Sequence, residues 1–99
     1  GKSPTEALLK LIAEAKGITS TEAKEEAIKA LKEGKSPTEA LLKLIAEAKG
    51  ITELEAKVLA EKALKEGKSP TEALLKLIAE AKGITETEAK LEAEKALKE

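Results

Sequence analysis

The sequence predicts an all-α fold: six helices, arranged as three helix-loop-helix repeats of an α-solenoid that closes on itself as a ring. Three observations carry this prediction. The stretch GKSPTEALLKLIAEAKGIT at residues 1–19 recurs unchanged at 34–52 and 67–85. Repeats at 1–33, 34–66 and 67–99 therefore fill the 99-residue chain, which reads as a single domain. Each repeat holds two segments bearing the start and stop signals of a helix, and none with the alternation of a strand.

In the first repeat, Ser3-Pro4-Thr5-Glu6 opens a helix running from about Pro4 to Lys16. Ser3 is the capping residue, Pro4 suits the first helical position, and Glu6 completes a capping box. Ala7, Leu8, Leu9, Leu11, Ile12, Ala13 and Ala15 cover more than half of its circumference, leaving Glu6, Lys10 and Glu14 as one polar stripe. This helix is expected to be largely buried. Gly17 ends it, and Ile18 before Thr19 is placed as a hydrophobic staple into the next helix, whose box is Thr19 with Glu22.

The second helix is expected to reach about Glu33, where Gly34 stops it. Its apolar stripe of Ala23, Ala27, Ala30 and Leu31 is narrow and made mostly of small residues, and its other side is Lys and Glu. Such a helix packs closely on the first and turns its back to water. The remaining four helices repeat these signals: Ser36 with Glu39, Thr52 with Glu55, Ser69 with Glu72, and Thr85 with Glu88. Three-residue connections of the form Gly-x-Ser or Gly-x-Thr oblige neighbouring helices to pack roughly antiparallel.

Composition excludes most chemistry. Ten residue types build the chain, with Lys the sole base, Glu the sole acid, and no Cys, His, Met or aromatic side chain. Thiol, imidazole and stacking chemistry are absent, and no disulfide is needed. Eighteen Lys are interspersed with nineteen Glu for a net charge of −1, which provides no basic face for nucleic acid. Apolar runs are short and interrupted by charge, so no membrane span or targeting segment is expected and the chain should be soluble.

Lys2-Ser3, Lys35-Ser36 and Lys68-Ser69 have the form of Ser–Lys nucleophile pairs, but helix capping accounts for all three Ser residues. Glu6, Lys10 and Glu14 form a solvated stripe of alternating charge rather than a metal site, since His and Asp are absent. The sequence therefore offers no catalytic residue, no cofactor site and no metal site, and the chain is not read as an enzyme.

A period of 33 matches ankyrin, and SPTEALL echoes that family's opening. Ankyrin repeats, however, need a hairpin-like segment between helix pairs, and the histidine of their motif is here Glu6, Glu39 or Glu72. Tetratricopeptide repeats need aromatic residues that this chain lacks. Nineteen-residue identity in three copies, capping boxes at all six helix starts and an alphabet of strong helix formers are instead products of design. The chain resembles the computationally designed, closed α-helical tandem-repeat toroids, and within them the left-handed form with three 33-residue repeats. The resemblance covers essentially the whole chain and implies a left-handed ring of six helices, a scaffold with no natural biochemical activity and no required partner.

Closure also follows from the ends of the pattern. Open solenoids carry polar capping units, whereas Ala7, Leu8, Leu11, Ile12 and Ala15 return unaltered as Ala73, Leu74, Leu77, Ile78 and Ala81. Either the third repeat packs on the first, or chains stack on one another. The phase favours a ring, with Leu and Ile of the first helices meeting on a tight axis and leaving little or no pore.

The repeats differ at five positions, all in the second helix: Ser20/Glu53/Glu86, Thr21/Leu54/Thr87, Glu25/Val58/Leu91, Glu26/Leu59/Glu92 and Ile28/Glu61/Glu94. Ile28, Leu54, Val58, Leu59 and Leu91 are aliphatic where sister repeats hold Glu or Thr, at positions expected to face solvent. They define a candidate self-contact patch centred on Leu54 and Val58, and the alternative function is weak self-association or binding through it.

Overall fold

The computed structural model describes residues 3–98. Within them the chain forms six helices of 13 residues each: α1 (Pro4–Lys16), α2 (Ser20–Lys32), α3 (Pro37–Lys49), α4 (Glu53–Lys65), α5 (Pro70–Lys82) and α6 (Glu86–Lys98). The starts follow the capping chemistry. Glu6 N donates to Ser3 Oγ at 3.2 Å while Ser3 N donates to Glu6 Oε1 at 3.0 Å. Thr19 and Glu22 exchange the same pair of bonds at the head of α2.

The stops are equally local. Gly17 adopts φ +77°, and Ile18 N donates back to the Ala13 carbonyl at 3.0 Å, which satisfies a carbonyl the helix would otherwise leave open. At the end of α2, Gly34 takes φ +99° and Lys35 N reaches the Ala30 carbonyl at 3.2 Å. Any residue with a Cβ is strained in that backbone region, which is why the turns carry glycine.

Consecutive helices pack on one another, and α6 packs on α1 as α2 packs on α3. The three inner helices α1, α3 and α5 also touch pairwise, whereas α2, α4 and α6 do not touch each other. The ring is therefore closed within one chain, with an inner triangle of helices and an outer helix across each of its edges. The molecule measures 31 × 31 × 21 Å. A 13-residue helix is about 20 Å long, so every helix stands upright across the thickness of the disc.

The core lies where the apolar periodicity puts it. The largest fully buried side chains are Leu11, Ile12, Leu44, Ile45, Leu77 and Ile78, all on the inner helices. The outer helices contribute Ala23, Ala27 and Ala30 and their counterparts, small enough for close approach. Ile18, Ile51 and Ile84 fold in from the loops against this core, as the staple requires.

Two expectations need correction. Leu31, assigned to the packing stripe, is 42% exposed, as are Leu64 and Leu97 to a similar extent. At about 100° per residue this position sits at the edge of the arc defined by the three alanines, so only part of its side chain reaches the neighbouring helix. Ala15 is partly exposed rather than buried, since it lies in the last turn of α1.

Candidate functional site

Two parts of the surface bear on function: the charged C-terminal turns of the inner helices and the differing positions on the outer helices. Charge pairing organises the first. Lys16 Nζ lies 2.6 Å from Glu47 Oε1, Lys49 Nζ 2.6 Å from Glu80 Oε1, and Lys82 Nζ 2.7 Å from Glu14 Oε1. Each inner helix thus sends a lysine to a glutamate of the next, and the last returns to the first. Glu14 and Lys16 are two residues apart on one helix and cannot face each other, so they pair with neighbours instead. That spacing is the signal the sequence carries, and reading Glu6, Lys10 and Glu14 as one solvated stripe missed it.

Lys16 also meets Glu26 of α2 at 2.6 Å, and Lys82 meets Glu92 of α6 at 2.5 Å. Partial burial works against both ammonium groups, but the hydrogen bonds each donates to two carboxylates outweigh it and hold both lysines above the ordinary value. In the middle repeat the residue equivalent to Glu26 and Glu92 is Leu59, so among the described residues Lys49 is held by Glu80 alone. These side chains are paired and structural; none is poised as a base or a nucleophile.

The candidate patch does not come together as one surface. Leu54 is 71% exposed and Val58 54%, one turn apart on the outer face of α4. Leu91, 59% exposed, belongs to α6, and Ile28, 43% exposed, to α2, helices that do not touch α4. Leu59 is not fully exposed as expected: it is half-buried and packs against the core. Its position faces the crevice between α4 and its inner neighbours, where Glu26 and Glu92 reach lysines in the sister repeats.

Concave features are shallow. Equivalent depressions of about 190, 200 and 250 Å³ lie between the two helices of each repeat, floored by Leu9, Leu75 or Leu42 and rimmed by Lys and Glu. Among the described residues no cluster of three or more acidic, His or Cys side chains is placed to hold a metal, and no helix is long and apolar enough to cross a membrane.

No protein-family model matches the chain, and no curated protein matches it. A solved structure does: a computationally designed left-handed alpha/alpha toroid with 3 repeats, 58% identical over 100% of both chains, with a TM-score of 0.95. Identity of that degree along the full length, on the same closed six-helix ring, means that this chain belongs to the computationally designed left-handed α/α toroids of three repeats.

Proposed function

We propose that the role of this chain is purely architectural: residues 1–99 act as one domain, a self-closing scaffold that catalyses no reaction and requires no cofactor or partner. A designed structural scaffold without natural activity is what its relationship to the designed toroids entails. The observation that carries the reading is the seam. Here α6 packs on α1 as the outer helix of each other repeat packs on the next inner helix, so the bare faces of the first and third repeats cover one another. Once those faces are covered, no solenoid end remains to recruit further units.

Seam closure is tested by pulsed electron resonance on two spin-labelled variants. Lys10→Cys/Lys95→Cys spans the seam, since both side chains line one depression between α1 and α6. Lys29→Cys/Lys43→Cys places labels at the equivalent positions on the continuous chain between α2 and α3. Both pairs should give the same distance distribution, and both should keep it on dilution with unlabelled chain. A longer seam distance, or one that vanishes on dilution, would replace the closed ring with an open solenoid that assembles.

A further inference from the structure

We propose that the outer face of α4 is a self-association surface, on which a second copy of this chain docks with its own α4 antiparallel and Val58 near a two-fold axis. The apolar centre is Leu54 and Val58, about 40° apart around the helix and the most exposed aliphatic pair sharing one helix face. What specifies the partner is the charge on either side. Glu55 and Lys62 lie on one flank of that centre, and Lys57 and Glu61 lie on the other.

When two identical helices pack antiparallel about a two-fold axis, each flank meets the same flank of its partner running backwards. Glu55 of one copy then stands opposite Lys62 of the other, and Lys57 opposite Glu61. The midpoints of both pairings fall within one residue of Val58, so a single register satisfies all four ion pairs and sets the two Val58 side chains against each other. Leu54 in this register lies over the aliphatic stems of Lys62 and Lys65 of the second copy, which are able to cover apolar surface with their methylenes.

The groups required are available. Within the chain, Glu61, Lys62 and Lys65 make no ion pair or side-chain hydrogen bond among the described residues. Glu55 commits Oε1 to the Thr52 cap, and Lys57 makes a solvent-exposed pair with Glu39 at 3.4 Å, which leaves both within reach of a second copy. The sister helices present a weaker surface. On α2 the corresponding centre is Thr21 and Glu25, and two Glu25 carboxylates would meet on the axis. On α6 the flanking charges Glu88, Lys90, Glu94 and Lys95 are retained, but only Leu91 is apolar.

One helix against one helix is a small contact, in the class below about 1,200 Å² of total buried surface whose complexes are transient. A dissociation constant between about 10 μM and 1 mM is expected. The experiment is sedimentation equilibrium of the intact chain across that range at low salt, with three variants checked for an unchanged helical spectrum. Leu54→Thr/Val58→Glu installs the residues α2 carries at the same positions, so the fold tolerates them, and it should remain a monomer throughout. Lys62→Glu should raise the dissociation constant about three- to tenfold, because the dimer loses two of its pairs. Lys29→Glu makes the same change on α2 and should have no effect.

The register is read from disulfide trapping: Val58→Cys should cross-link readily under mild oxidation, and Glu25→Cys and Leu91→Cys slowly. A monomer mass up to about 1 mM, association that survives in Leu54→Thr/Val58→Glu, or faster trapping at Leu91→Cys would each overturn the proposal. Ring closure is measured separately on the monomeric variant, so failure of the dimer leaves the scaffold reading intact.

Discussion

At the scale of single residues, two kinds of carboxylate–donor contact hold this molecule, and they respond to pH from opposite sides. Glu39 and Glu72 accept hydrogen bonds from the Ser36 and Ser69 amides and lie near Lys57 and Lys90, which holds both below the ordinary carboxylate value of 4.5. Groups lowered on folding add stability above their unfolded value and lose it as the pH falls through the folded one. Lys16 and Lys82 are raised above 10.5 despite the opposing effect of burial, so their contribution is complete below that value and is lost as the pH rises through the folded one. The denaturant midpoint should therefore be flat from about pH 5 to 10 and fall on both sides; a midpoint that climbs on acidification from pH 5 would contradict the assignment. The lysines should also differ among themselves. Lys16→Met and Lys82→Met each lose two carboxylate contacts and Lys49→Met one, at about 0.2–1 kcal/mol per pair, so the first two should cost the same and more than the third in urea unfolding.

At the scale of the helix, both kinds of element were legible in the sequence because local signals and the global packing agree. Ser-Pro-Thr-Glu begins the inner helices and Thr with a Glu three residues on begins the outer ones, while glycine ends each inner helix at a left-handed backbone position. No strand signal competes with these. What could not be read was the partition of the edges. Leu31 and Leu59 lie on opposite sides of the alanine stripe at about equal angles from its centre, one exposed and one half-buried, so the helical wheel alone does not separate them. The alanines themselves are unambiguous and set the helix spacing. Ala56 has no exposed surface, so Ala56→Leu forces α4 away from its neighbours and should cost about 1–3 kcal/mol. Ile45→Ala empties a fully buried site on α3 and should cost about 2–5 kcal/mol, with Ile12→Ala and Ile78→Ala equal to it within error because their surroundings repeat. Unequal losses among these three, measured by chemical denaturation, would mean that the ring departs from its three-fold equivalence in the core.

At the scale of the whole molecule, the exact repetition of the inner helices is what makes closure possible, because every repeat must present the same two faces and bury both. The left-handed sense of the ring has no counterpart in spacing or composition; it came from resemblance to the designed toroids and stands with the solved relative. Closure gives the molecule an unusual dependence on concentration. An intact chain has no bare solenoid end to saturate, so the melting midpoint of the monomeric Leu54→Thr/Val58→Glu variant, expected above about 65 °C from its strong helix propensity and short connections, should not move over a hundredfold range of concentration. Cutting the chain after Glu33 changes that. The fragment 1–33 must dock α1 against both α3 and α5 and seat itself between α6 and the start of α3, contacts that two helices cannot make alone. Fragments 1–33 and 34–99 should therefore combine one to one, regain the helical spectrum of the parent, and melt at a temperature that rises with concentration as mass action requires. A 34–99 fragment that ignores its complement and grows into longer species would show that the two bare faces prefer copies of each other to the missing third, and that the covalent order of the repeats, more than the geometry of each, is what shuts the ring.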